Sequence, residues 1–157
     1  MKMIIGLFAI LFIVIIITVT ALHNNNYAFF ASKSPSVQIA GHTFTVEEAK
    51  TPSAWQQGLS GRKSMPVNQG MLFIFPKATY QQFWMKQMLF PLDMLFMNNN
   101  KIVTIYENVP IPPTNANLSS LPIYSSTAPA NYVLELNAGT TKKDNIKVGD
   151  TLTYSDL

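Results

Sequence analysis

Hydrophobic positions fall along this chain in two regimes. Residues 3–22 are apolar with no charge among them, relieved only by Gly6, Thr18, Thr20 and alanines. From residue 37 onward the apolar positions come in short runs, often alternating with polar ones and bounded by Gly, Pro or Asn. A helix of about 20 residues spans roughly 30 Å, the thickness of a bilayer's hydrocarbon core, so the first regime predicts a transmembrane helix within residues 1–22. The run is long and no A-x-A follows it, which favours an uncleaved signal-anchor over a cleaved signal peptide. Lys2 lies ahead of the run and orients the N-terminus to the cytoplasm and the C-terminal domain outside it.

Residues 23–36 (HNNNYAFFASKSPS) are polar, small and broken by Pro35, and read as a linker. Residues 37–157 then form the domain. Alternation in 37–46 (VQIAGHTFTV) predicts two short strands about a turn at Gly41-His42. Thr51-Pro52 is an N-cap followed by proline at the first helical position, so 53–57 is a short helix ended by Gly58, with Trp55 and Leu59 turned to the core. The continuous run 71–75 (MLFIF) predicts a strand buried on both faces. Strand patterns follow at 83–85, 92–97, 101–109, 132–136 and 151–154, with a turn or single helical turn at 140–145. The proline-rich stretch 110–129 reads as a long ordered loop anchored by Leu118, Leu121, Ile123 and Tyr124. Many short strands with one or two helical turns make a mainly β sandwich or barrel.

Composition narrows the function classes. A charged fraction of 12% against 48% hydrophobic fits a chain that lies partly in lipid. The chain has no cysteine, which removes disulfides, thiol nucleophiles and thiolate metal sites. The net charge of +3 is too small and too scattered for a nucleic-acid surface.

Six ordered segments carry a resemblance. They are GLSGR at 58–62, GMLFIF at 70–75, FWMK at 83–86, PLD at 91–93, YVLELNAG at 132–139 and IKVGD at 146–150. Together they resemble the bacterial and archaeal family catalogued as domain of unknown function 192, over about residues 37–154. The resemblance implies a compact, jelly-roll-like β-sandwich, often behind a signal peptide or anchor, and it implies no reaction or ligand. One departure stands out, because the family commonly has Asn-Thr after FWMK where this chain has Gln87-Met88.

Candidate chemistry centres on 83–97 (FWMKQMLFPLDMLFM), where two apolar runs hold Lys86 and Asp93. In a strand Trp84 and Lys86 share one face, and Asp93 shares its face with Leu95 and Met97. A carboxylate in that frame is either paired or held for a ligand. Two readings follow: Asp93 closes an ion pair with Lys86 or Arg62, or Arg62, Trp84, Lys86, Asp93 and Glu135 line a pocket for a polar, sugar-like ligand. Glu135 alternates with Leu134 and Leu136 and is expected to point opposite to the core or to a partner, while Glu107 reads as a solvated strand residue. Asp93 with Glu135 or Glu107 would supply the carboxylate pair that a glycoside hydrolase requires. His23 and His42 read as surface residues rather than metal ligands, and the methionines as core filling.

The expected protein is thus a single-pass, extracytoplasmic β-sandwich domain of the cell envelope, acting as a non-catalytic binding or accessory module. Its partners would be the membrane and an envelope glycan or protein, without nucleic acid or cofactor. The alternatives are a hydrolase of envelope polysaccharide and a purely structural domain that holds a membrane partner.

Overall fold

The computed structural model describes residues 34–155. The expected membrane helix and most of the linker lie outside them, and no helix among the described residues is long and apolar enough to cross a membrane. Nine strands make up the fold: β1 (Ser36–Ile39), β2 (His42–Ala49), β3 (Gln69–Thr79), β4 (Gln82–Phe83), β5 (Leu92–Asn98), β6 (Lys101–Val109), β7 (Tyr124–Ser125), β8 (Ala130–Asn137) and β9 (Thr153–Ser155). Two short helices, α1 (Pro52–Gln57) and α2 (Thr140–Lys143), join them, with a single 3₁₀ turn at Leu118–Ser120. The mainly β reading with few helical turns therefore holds.

The layering differs from a sandwich of two opposed sheets. Seven strands form one sheet in the order β6-β5-β8-β3-β2-β1-β9, and β4 and β7 make a separate two-stranded ribbon. The large sheet curls. Leu152 N–H donates to Asn100 O at 2.7 Å, and Ile102 N–H donates to Asp150 O at 2.9 Å, so the approach to β9 bonds back onto the start of β6. Both faces are apolar, as continuous hydrophobic strands require. One face, with Leu72, Leu95, Met97, Leu134 and Leu136, packs inside the curl against Phe44 and Val46. The other, with Phe73, Met94, Phe96 and Val133, is covered by Leu59, Met85, Met88 and Phe90.

Local chemistry explains the joints. The first hairpin turns at Ala40-Gly41 rather than Gly41-His42, with φ +50° and +83°, the positive pair that a tight two-residue hairpin turn takes. Thr51 Oγ1 accepts from Ala54 N–H at 3.3 Å and caps α1, with proline at the head of the helix. Strands β2 and β3 pair in parallel, an arrangement that needs a long crossover, and residues 50–68 with α1 supply it. That crossover lays α1 and Leu59 over the second face. In the proline-rich stretch Leu121 is buried and Tyr124 packs on the core, while Leu118 and Ile123 remain exposed.

Candidate functional site

Strand β8 is the seventh of the expected strands and lies between β3 and β5 in the sheet. Its register sets Glu135 opposite Met71 on one side and Met94 on the other. Directly opposed residues share a face, so Glu135 rises from the face that α1 covers, among Phe73, Phe96 and Val133. It is 5% exposed, which corrects the expectation that it points away from the core. Neither methionine neighbour can donate a hydrogen bond. Asn137, next along on the same face, spends its amide on Met65 O and Pro66 O at 3.0 and 3.1 Å. Among the described residues no donor is bonded to the Glu135 carboxyl, and burial pushes its pKa up to about 8.

Above this group lies a cleft of about 130 Å³. Its walls are Trp55, Phe73, Phe75, Phe83, Trp84 and Met88, and glutamines 56, 57, 81 and 82 stand at its edges. Each wall is held from behind. The Trp55 indole N–H donates to Ala49 O at 2.8 Å, which fixes the ring beside Phe75 at a centroid distance of 4.9 Å. Phe83 meets Phe73 and Phe96 edge-on at 4.9 and 5.6 Å. Ser60 Oγ donates to Lys86 O and Gly61 N–H to Gln87 O, both at 2.9 Å, tying the turn after α1 to the 85–88 turn. At Gly58, with φ +47°, a Cβ would come 3.2 Å from the Phe73 ring, so the absence of a side chain keeps this wall open.

The five residues picked from the sequence divide three ways. Glu135 and Trp84 line the cleft, Trp84 being 46% exposed. Lys86 Nζ sits 5.6 Å from the centre of the Trp84 ring, beside the lining, but the two meet through the turn that follows β4, which ends at Phe83, and not as neighbours on one face of a strand. Arg62 and Asp93 are elsewhere. The Arg62 guanidinium is bound by both its outer nitrogens to the Glu47 carboxylate, with Nη2 donating at 2.7 Å, and this bond holds the Glu47 pKa below the usual carboxylate range.

Asp93 pairs with neither Arg62 nor Lys86. It is 0% exposed, on the opposite face from Glu135, because β5 sets Asp93 against Leu136 and Met94 against Glu135. Its Oδ1 accepts from Asn108 N–H at 2.8 Å and Gly139 N–H at 3.1 Å. Oδ2 accepts from both the N–H and Oγ1 of Thr141 at 2.8 Å. Gly139 has no side chain with which to cap α2, so Asp93 caps it from across the sheet. This also removes the expected hydrolytic pair. Asp93 and Glu135 lie on opposite faces, Asp93 presents no surface, and Glu107 is exposed with Thr141 Oγ1 at 3.4 Å. His42 is exposed, 3.8 Å from Asp144, and no group of three metal-ligating side chains forms among the described residues.

A larger hollow of about 650 Å³ opens on the other side of the sheet, beside Leu72, Ile74 and Tyr132. Its charged groups are already matched, with Lys50 Nζ 2.7 Å from Glu48. The aromatic cleft alone of the two holds a carboxyl with no bonded donor, and because every fully enclosed side-chain polar atom among the described residues has a hydrogen-bond partner, the Glu135 oxygens are open to the cleft.

Sequence reasoning reached the floor of the cleft and one wall but missed Trp55, Phe73, Phe75 and Phe83, which look like core residues in a linear reading. The available signal was that a glutamate interrupts a buried strand in YVLEL.

Comparisons with known proteins agree with the fold. A family profile described as DUF192, uncharacterized ACR, matches residues 35–154. A crystal structure of a protein of unknown function from Novosphingobium aromaticivorans is similar at 26% identity, with a TM-score of 0.68, over 75% of this chain and 83% of that one. A protein from Sinorhizobium meliloti, described as a proposed transcription regulator, is similar at 40% identity and a TM-score of 0.68, over 81% of this chain and 98% of that one. No curated protein matches.

Proposed function

Because the chain belongs to the DUF192 family, whose description names no reaction, we propose that it is a binding module whose ligand site is the aromatic cleft above Glu135. In this reading the apolar segment 3–22 anchors the domain in the cell membrane and holds it outside the cytoplasm as an accessory of the cell envelope.

Glu135 carries the proposal. The Glu135 residue is 5% exposed, yet its carboxyl has no bonded donor and opens to the cleft, and perturbed groups of this kind concentrate where a ligand supplies a partner. A cleft walled by rings with one polar group at its base has the make-up of a small-molecule site. Glu135 is also the single ionisable side chain that lines it, so no second group is in place to share acid and base roles, and binding is favoured over hydrolysis. A purely structural domain gives no reason for the concave site. The role described for the Sinorhizobium meliloti protein finds less support, since α1 and α2 have six and four residues and neither can present a recognition helix to a DNA groove.

The chain's two tryptophans, Trp55 and Trp84, both line the cleft, so intrinsic fluorescence reports its occupancy directly. A panel of small amines, amides, carboxylates and sugars titrated into the full chain is expected to give a saturable emission change for one chemical class, with a matching rise in Tm. The change should be weakened in Trp84→Leu, with Trp55 left as the reporter. If no class moves either signal, or if the response survives Trp84→Leu unaltered, the cleft is not the site.

A further inference from the structure

Resting on that reading of the cleft, we propose that its ligand is an organic cation, an alkylammonium head that enters between the aromatic walls and pairs with the Glu135 carboxylate.

Four features of the cleft converge on a cation. Aromatic faces carry negative potential and attract ammonium groups, most strongly when water is excluded, and here Trp55, Phe73, Phe75, Phe83 and Trp84 surround one opening. An ionised carboxylate at the base carries a negative charge and no hydrogen to give, so it asks for a positively charged partner. The local surface already shows the preference, for Lys86 lays its ammonium over the Trp84 ring, 5.6 Å from its centre. Finally, no cationic side chain lines the cleft. An anionic ligand would therefore find no positive partner among the described residues of the cleft, and ionised Glu135 would repel it.

A neutral sugar fits less well. Its hydroxyls need several polar partners, whereas the glutamines stand at the edge and two of them are engaged, Gln57 with Ser60 O at 3.1 Å and Gln81 with Ala130 O at 3.0 Å.

Proton linkage gives the proposal its signature. Glu135 is faced by Met71 from β3, Met94 from β5, Leu59 and Ser60 from the turn after α1, and Phe83 and Met88 from the opposite wall, none of which titrates. Of the charged side chains on these elements, Lys86 lies over Trp84, Arg62 is paired with Glu47, and Asp93 of β5 faces the other way. With a pKa of about 8 the carboxyl holds its proton at neutral pH, and a bound cation must expel it.

Tetramethylammonium chloride, titrated into the full chain against sodium chloride at matched ionic strength, is the direct test. We expect a saturable change in tryptophan emission at pH 9 and an affinity roughly 100-fold weaker at pH 6, since only the ionised carboxylate pairs. Glu135→Gln should remove this pH dependence and most of the affinity. Trp84→Leu, at a half-exposed rim position, should weaken binding and keep the pH dependence. The neutral isostere tert-butanol should bind weakly and without regard to pH.

Equal binding of tert-butanol and tetramethylammonium, or affinity that falls as pH rises, would overturn the cation proposal and leave the cleft a site for another ligand class. No response to either probe, together with no response to the broader panel, removes both the cation and the binding module.

Discussion

Glu135 sits between two thioethers with no donor bonded to it, and its titration is the most direct check on the residue's surroundings. Folding raises its pKa from an ordinary 4.5 to about 8. Between those values the folded chain keeps a proton that the unfolded chain has lost, so this group's contribution to stability is greatest below pH 4.5, declines as pH rises, and levels off above 8. The decline is on the order of 3 to 5 kcal/mol. Glu135→Gln should abolish it, so the difference in unfolding free energy between variant and parent, from denaturant titrations, should grow from pH 5 to pH 8 and then hold constant. A difference that stays flat over that range would mean the carboxyl is hydrated. Gln87 offers a residue-scale account of the departure from the family pattern. Its φ is +55°, in the left-handed region that asparagine tolerates far better than glutamine. The family's asparagine thus suits a backbone turn, and this chain keeps the turn by bonding Gln87 O to Gly61 N–H at 2.9 Å.

At the scale of elements, Asp93 joins the β6 end at Asn108 to the distant junction of β8 and α2, at Gly139 and Thr141. Replacing it by asparagine keeps the shape but turns an amide toward backbone N–H groups that the carboxylate now receives. Hydrogen bonds to a buried charged group are among the stronger ones, and a loss of roughly 3 kcal/mol in chemical denaturation is expected for Asp93→Asn. Cation binding in the cleft should survive, because Asp93 faces the other way. A loss below about 0.5 kcal/mol would show that the carboxylate does not hold these elements together. The two helices show how unevenly local signals inform. Thr51-Pro52 announces α1 because its cap is in the neighbouring residues, whereas the cap of α2 is supplied by Asp93 and no local pattern points to it.

Across the whole molecule, the curl decides which residues are enclosed. Strands β6 and β9 stand at the two ends of the sheet order, yet the residues before β9 bond back to β6 through Leu152 and Ile102. The amides of both residues should therefore exchange with solvent as slowly as those of interior strands, measured by hydrogen exchange on the full chain. Exchange at the rate of an exposed loop would show that the sheet is open at this edge. The parallel pairing of β2 with β3 has a similar reach, since it places the crossover and α1 above β8 and so makes one wall of the cleft.

Most strands, α1 and the buried faces of 71–75 and 92–97 could be read from the sequence alone, because alternation, caps and turn residues act over a few positions. The facing of Asp93 with Leu95 and Met97 followed from the two-residue period of a strand in the same way, whereas Trp84 and Lys86 meet through a turn. Partners could not be read so. Whether Asp93 meets an arginine, a lysine or a row of backbone amides depends on register between strands more than forty residues apart, and the apolar pattern satisfies either face equally well. The resemblance to a family pointed to a sandwich, and only the tertiary structure showed one sheet curling on itself, since curvature comes from twist and end-to-end bonding rather than from any single strand. The sequence determined that a carboxylate and several aromatic residues would be held in apolar strands. Tertiary structure decided that Glu135, and not Asp93, is the one left without a partner at the base of an aromatic cleft.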